Sequence, residues 1–585
     1  MAKFFLTNNA SIYNSLKESI DNSDFDLSFS YSENNCFALA THKLNVKNTN
    51  VAVSGLGFCI TIGTCVYKES LSYDTLLKDF EGNFSETYSN MLGQYAVCIN
   101  KDGRTSVFGD EYGCFDIYYY ESKSGKSKEW LVSNSLYDMA RVLKKRLTLD
   151  DFTIIERTIN RTLVNGSTFF REIHRLRAGE RIIIEDNSKE INIQRSKLEY
   201  STGSYDEVVN RTTDLLRNNA RIIAKVFGIP QICATGGLDS RLIISAFLAA
   251  GVKPNLLYGV GDNRVSSPKK EDERIIEQMS SKLKLKCEKC DFSASKPFDL
   301  DWNYYIERNG FPAAYMWGSQ RNIIHNLCDN PGVIIFGFGG EVYRTSWLGT
   351  IATPQISLKT LLSQWKRQGH DLVKKSIDNY DEIVEEHFVE ECRKIGVDTE
   401  KIGIDETFLI ENSYRNQADT QIPSFVHQYR YCYQLLFEYE ALKNSVIRGE
   451  KENAKFVISL IKQLYPKLLD IPIFTHEMWM YLDSNCTSLL DNDPTYSIIN
   501  SSSVVSRLRK YSPEPFKRFF LRPLLDFTKR IFQKEYVISN AQESEIERID
   551  KLDNMKYYVE MTKDFKSEHR SMYAMLLLAL KKLDF

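Results

Sequence analysis

Between residues 229 and 336, short apolar runs alternate with amphipathic stretches, an order that few folds accommodate. Segments 229–234, 255–260 and 333–336 are apolar and too short for helices. Segments 241–250 and 272–285 carry apolar residues at helical spacing, the first closed by Gly251 and Pro254. Strands alternating with helices predict a parallel sheet with helices on both faces. Upstream of about residue 195 the pattern differs. Runs 51–53, 58–67, 95–100, 105–109, 117–120 and 181–185 are β-branched or aromatic and bounded by Gly, Asp and Asn, so they read as short strands. Lys101-Asp102-Gly103 marks a hairpin, because Asp-Gly tolerates positive φ, and 122–128 reads as a solvated polar loop. Helical spacing sets in over 205–224, and beyond about 355 the chain reads as nearly all helix.

A chain of 585 residues exceeds one hydrophobic core, and roughly 150 residues per domain implies two to four units. The expected division is 1–200, 201–480 and a helical extension over 481–585. An apolar fraction of 43% and a charged fraction of 26% are ordinary for a soluble protein. The net charge of -2 gives no general pull toward nucleic acid or membrane. The longest apolar stretches, 242–250 and 573–580, fall well short of the roughly 20 residues a membrane span requires. The N-terminus lacks the apolar core of a signal peptide, and 12 cysteines without a compact framework suit reduced thiols. A soluble, cytoplasmic protein is expected. Cys287-Glu-Lys-Cys290 has no second ligand pair for zinc, and the histidines show no paired metal spacing.

The strand–loop–helix unit at 229–250 carries the chemistry. Its loop reads Ala234-Thr235-Gly236-Gly237-Leu238-Asp239-Ser240. A parallel strand delivers such a loop to the carboxyl edge of the sheet, where ligands bind. Two glycines let backbone amides approach a polyphosphate, Thr235 and Ser240 add hydroxyls, and the helix points its positive end at the anion. Asp239 repels phosphate directly, so its natural role is to hold Mg²⁺ that bridges to phosphate oxygens. The loop lacks the lysine of a Walker motif. A tight turn with an Asp-Ser helix cap is the bland reading of the same residues.

This loop resembles the pyrophosphate loop of the asparagine synthetase family. Gly337-Phe338-Gly339-Gly340-Glu341-Val342-Tyr343-Arg344, after a buried run, resembles that family's second motif. The helix opening at Glu271-Asp272-Glu273 resembles the acidic segment between the two. Met91-Leu-Gly-Gln-Tyr-Ala96, Phe108-Gly-Asp-Glu-Tyr-Gly113 and Leu176-Arg-Ala-Gly-Glu180 resemble the glutaminase-like domain, and the likeness spans roughly 50 to 470. It implies an α/β chain: an N-terminal Ntn-hydrolase-like domain of α/β/β/α layers, then an ATP-pyrophosphatase domain with a parallel sheet and a helical C-terminal part. It implies ATP and Mg²⁺ as cofactors. Ala234, Thr235, Gly236, Gly237, Asp239, Ser240, Tyr258, Gly337, Gly339 and Gly340 would form the nucleotide site, with Asp239 and Glu341 as catalytic metal ligands. The activity implied is an AMP-forming carbon–nitrogen ligase that adenylates a carboxylate and passes the acyl group to an amine. An ATP-binding pseudoenzyme or scaffold is the alternative.

The chain also departs from the family. Glutamine-hydrolysing members need a terminal Cys whose thiol attacks and whose amine acts as base. Here Ala2 follows Met1 and the nearest cysteine is Cys36, so no glutaminase is expected and the chain sits nearer β-lactam synthetase-like members. Glu341 stands where the family has Asp, and Phe338 stands where some members carry an acid–base Glu or Tyr. The distal lysine that neutralises pyrophosphate is unassigned among Lys455, Lys462, Lys467 and Lys510. The aromatic stretch 301–317 reads as core first and substrate lining second. The basic segment 507–534 reads as a docked amphipathic helix pair before an anion-binding surface. Expected partners are a small-molecule or peptide carboxylate and an amine. Nucleic acid is disfavoured, no membrane span is expected, and a homodimer is compatible with the sequence.

Overall fold

The computed structural model describes residues 2–260 except 34, 47–48, 123–127, 161–165, 186–189 and 197–202, then 268–291, 330, 332–343, 355–358, 379–403, 426–443, 454–471, 473, 580 and 583. The stretches 301–317 and 507–534, and almost all of 481–585, lie outside the described residues.

The N-terminal strands are β1 (Phe4–Thr7), β2 (Leu27–Glu33), β3 (Cys36–Thr41), β4 (Val51–Ser54), β5 (Gly57–Gly63), β6 (Val66–Tyr67), β7 (Met91–Leu92), β8 (Tyr95–Lys101), β9 (Arg104–Gly109), β10 (Tyr118–Glu121), β11 (Trp130–Ser133), β12 (Ile173–Arg175), β13 (Glu180–Glu185) and β14 (Asn192–Arg195). Helices α1 (Ala10–Asp21), α2 (Tyr73–Asp79), α3 (Phe84–Ser89), α4 (Leu136–Leu143) and α5 (Asp151–Asn160) interleave with them. Two six-stranded sheets result, in the orders β12-β10-β11-β1-β3-β2 and β14-β13-β9-β8-β5-β4, every pairing antiparallel.

Successive strand residues face opposite sides, and the burial follows that period. Phe4, Leu6, Ala38 and Ala40 meet Phe58, Ile60, Cys98, Val107 and Ile182 between the sheets. Phe5, Leu39 and Leu131 face α1 and α4 through Leu16, Met139 and Leu143. Cys59, Val97, Ile99 and Phe108 face α2 and α3 through Leu76, Leu77 and Phe84. The layers are therefore helix, sheet, sheet, helix, the arrangement the resemblance implies. Asp102 and Gly103 both adopt positive φ, 52° and 80°, in the two-residue turn joining β8 to β9, as a hairpin matching strand twist requires.

The second unit begins with α6 (Tyr205–Phe227), opened by a reciprocal Ser204–Glu207 capping box. It continues through β15 (Gln231–Cys233), α7 (Leu238–Ala249), β16 (Asn255–Val260), α8 (Pro268–Leu283), β17 (Cys287–Asp291) and β18 (Ile334–Ile335). A short antiparallel ladder, β19 (Gln355–Ile356) with β20 (Ile402–Gly403), precedes β21 (Cys432–Tyr433). Helices α9 (Tyr380–Ile395), α10 (Tyr439–Leu442) and α11 (Lys455–Leu464) complete the described part. The sheet order is β17-β16-β15-β18-β21, all parallel. The region after 355 is thus less purely helical than its sequence suggests: β21 supplies an edge of the parallel sheet, and two residues are too few to show a period. No helix among the described residues is long and apolar enough to cross a membrane.

Candidate functional site

Strand order reverses around β15: the chain moves outward through β16 and β17, then returns to place β18 on the other side. Such a switch point opens a crevice beyond the carboxyl ends of two adjacent parallel strands. The loops leaving these two strands are Ala234–Gly237 and Phe336–Gly339, which carry the two motifs.

The first loop is tightly tied. Ala234 N–H donates to Leu257 O at 2.7 Å, extending the sheet by one rung. Thr235 N–H donates to Ser240 Oγ at 3.1 Å, and Ser240 Oγ donates back to Thr235 O at 3.0 Å. Gly236 N–H donates to Asp272 Oδ1 on α8 at 2.7 Å. Arg241, fully buried, places Nη1 2.6 Å from both Leu468 O and Ile471 O and Nη2 3.4 Å from Gly236 O. Among the described residues, Gly237 N–H meets only Thr235 Oγ1, in an exposed bond of 3.3 Å, and α7 starts without a side-chain cap.

The second loop lies directly against the first. A Cβ at Gly340 would stand 2.1 Å from Asp239 Cγ and 2.3 Å from Oδ1, so only glycine lets the Asp239 carboxylate rest on this backbone. Gly337 approaches Ser240 N in the same way, its notional Cβ at 3.4 Å. Gly339 has φ +85°, with the Phe437 ring 3.3 Å from where its Cβ would be. Tyr343 closes the turn Gly340–Tyr343, donating to Leu436 O at 3.2 Å.

The structure thus brings together Thr235, Gly236, Asp239, Ser240, Gly337 and Gly340. Glu341 has its backbone in the Gly340–Tyr343 turn, but its side chain lies outside the described residues. Tyr258 is buried in β16, in the same core cluster as Ala234 and Leu238, and its hydroxyl donates to Glu277 on α8 at 3.2 Å. The Phe338 ring lies tilted against that of Phe336, centroids 5.5 Å apart. Of the lysines, Lys455 lies over the Tyr205 ring, Lys467 sits in the turn Pro466–Asp470, and Lys510 is outside the described residues. Cys287 and Cys290 fall three apart on β17, so their thiols point to opposite faces. Ala2 is buried between the two antiparallel sheets, its carbonyl accepting from Asn134 Nδ2 at 3.1 Å.

Sequence reasoning gave no role to Asp272 or Arg241, which shape the first loop. A signal existed for Arg241: α7 is apolar almost all round, so a charge in its first turn has to find partners inside. Asp272 was singled out only as part of an acidic segment; its bond to the loop was not foreseen, since that partner lies 36 residues away.

Segment 432–438 joins the two units beside this site. Cys432 N–H donates to Thr64 Oγ1 at 3.1 Å, Gln434 exchanges hydrogen bonds with Gln94 at 2.8 and 3.2 Å, and Gly93 N–H donates to Glu438 Oε1 at 2.8 Å. Burial lifts the Glu438 carboxyl to about 8 and the nearby Asp110 carboxyl to about 6. Both line a cavity of about 300 Å³ with Tyr88, Tyr112, Asn219 and Phe437.

No protein-family model matches this chain. No curated protein matches it either. Among solved structures, glutamine phosphoribosylpyrophosphate amidotransferase from B. subtilis, complexed with ADP and GMP, is similar at 9% identity and a TM-score of 0.20, over 58% of this chain and 77% of that chain. A TM-score of 0.20 is too low to bear on fold or activity.

Proposed function

We propose that the chain is an ATP-dependent ligase of the asparagine synthetase type, which adenylates a carboxylate and transfers the acyl group to an amine without hydrolysing glutamine. One observation carries this reading: Asp239 lies on the Gly340 backbone at the switch point of a parallel sheet, joining two motifs across 101 residues. The domains would follow the division 1–200, 201–480 and 481–585.

The donor set suits Mg²⁺. The Asp239 carboxylate is a hard oxygen ligand resting on the second loop, and Glu341 follows Gly340 directly. Mg²⁺, when bound, would neutralise charge on the phosphates of ATP. Gly237 N–H and the uncapped start of α7 would receive the pyrophosphate end. The α-phosphorus then lies toward the acceptor. A substrate carboxylate oxygen attacks it and the bond to pyrophosphate breaks, giving an acyl-adenylate. The amine attacks the acyl carbon, AMP leaves, and the amine proton passes to solvent or a substrate group, because Phe338 cannot take it.

The test is ATP–pyrophosphate exchange over a carboxylate panel, with nucleotides separated after turnover. AMP and pyrophosphate are expected, formed only with the right carboxylate. Asp239→Ala is expected to lower AMP formation by about 10³-fold while the melting curve is unchanged. ADP and phosphate without AMP would overturn the mechanism. ATP binding with no exchange on any carboxylate would favour the pseudoenzyme.

A further inference from the structure

We propose that Asp272 is the positioning residue of the first loop: its carboxylate fixes the Gly236 peptide so that the next amides face the nucleotide. The inference rests on the nucleotide site proposed above. Two glycines in sequence offer two amides to a phosphate, yet the fold uses them differently. Gly236 N–H points inward, to a carboxylate on α8 that is 4% exposed, at 2.7 Å. Gly237 N–H is in an exposed bond, held among the described residues only by Thr235 Oγ1 at 3.3 Å.

The other side of Gly236 is also engaged, since its carbonyl receives Arg241 Nη2 at 3.4 Å. Arg241 is itself anchored on Leu468 and Ile471. A glycine pair without such ties samples a wide range of φ and ψ, and ordering it on ligand binding costs affinity. Held between α8 and the 468–471 segment, the loop keeps its shape before any ligand arrives. A hydrogen bond accepted by a carboxylate is shorter and stronger than one between neutral groups. The negative charge of Asp272 does nothing for phosphate and opposes it; what it contributes is an acceptor at one point. An asparagine could supply that acceptor, whereas alanine could not.

The experiment compares Asp272→Ala and Asp272→Asn in the full chain, with two readouts. The first is hydrogen exchange over residues 234–240 without nucleotide. The second is ATP binding in the presence of Mg²⁺. Asp272→Ala is expected to speed exchange at Gly236 and weaken ATP binding, each by about 10-fold or more. Asp272→Asn is expected to keep both within about 3-fold of the parent. Should Asp272→Ala fail to fold, Asp272→Asn decides alone: near-parental values support the proposal, and a ten-fold loss of both overturns it. Unchanged exchange in Asp272→Ala, or tighter ATP binding, would also overturn it and make the carboxylate a competitor of phosphate. If the parent binds no ATP, the nucleotide reading falls, while the exchange data still decide whether Asp272 holds the loop.

Discussion

The buried cluster around Asp138 in the layered N-terminal unit and the buried groups behind the first loop of the parallel sheet bind in opposite ways. Around Asp138, side chains satisfy one another. Asp138, 4% exposed, meets Lys3 Nζ at 2.6 Å, Arg141 Nη2 at 2.7 Å and Ser135 Oγ at 2.5 Å. Burial alone would raise its carboxyl, but Lys3 and Arg141 hold it down to about 2. Behind the first loop of the parallel sheet, buried side chains bind backbone instead. Asp272 takes Gly236 N–H, Ser240 takes Thr235 N–H, and Arg241 takes three carbonyls. A closed network of side chains makes a rigid body, whereas side chains that grip loop backbone shape a surface at the strand ends. The first arrangement belongs to a support and the second to a site.

The comparison can be broken first at Asp138. Replacing it by Ala leaves Lys3 buried without its anion, and a loss of about 3–5 kcal/mol of stability is expected. Because its folded pKa is depressed, this contribution is present above about pH 4 and is lost as pH falls toward 2. Thermal melts at pH 7 and at pH 2 check both parts: the variant should lie far below the parent at pH 7, and the gap should narrow as pH approaches 2. A mild shift at pH 7 would mean that the network is not a rigid support. The next effect in size is at Gly340. Its Cβ would also lie 2.4 Å from Asp239 Cβ, which no rotamer of Asp239 relieves, so one loop has to move. Gly340→Ala is expected to cost about 1–3 kcal/mol and to abolish AMP formation. Retained turnover in a stable Gly340→Ala protein would separate the two loops functionally.

Much of this contrast was legible in the sequence, and the failures have physical causes. The runs at 51–53, 58–67, 95–100, 105–109, 117–120 and 181–185 fall on strands, 255–260 matched its strand residue for residue, and β2, β3, β12 and β14 were not read as strands. β1 and β11 were missed because all four residues of each are buried, which leaves no alternation to see. β21 was missed because a two-residue strand has no period. Asp239, Ser240 and the Gly337–Gly340 run were legible because a loop at a strand end restricts residue type locally. The contacts of Asp272, Gln94 and Glu438 were not, because their partners are set by tertiary approach across 36, 340 and 345 residues, although Asp272 and Gln94 lie in segments the resemblance had singled out.

The smallest expected effect sharpens the comparison where the two units meet. Glu438 follows the turn Leu435–Phe437, and its carboxylate accepts Gly93 N–H from the layered unit. Gly93 has φ +119°, and a Cβ there would sit 1.9 Å from Thr64 O, so this turn cannot be rebuilt around another residue. On the other side, the Phe437 ring lies against Gly339 of the second motif. Burial raises the Glu438 carboxyl from its ordinary value to about 8, and Asp110, raised to about 6, adds repulsion once both are ionised. The folded chain therefore holds a proton here that the unfolded chain releases near pH 4.5. The resulting stability is fully present below that pH and is lost as pH rises through 8. Glu438→Gln cannot titrate and keeps an acceptor for Gly93. The parent is expected to lose about 1 kcal/mol per pH unit between pH 6 and 8 relative to this variant, measured by denaturant unfolding. Ionisation would also loosen the segment behind Gly339, so AMP formation should fall above pH 8 in the parent and less in Glu438→Gln. Parallel stability curves for the two proteins across that range would show that Glu438 is already ionised when folded. The junction would then be a passive contact rather than one that transmits the state of the support to the site.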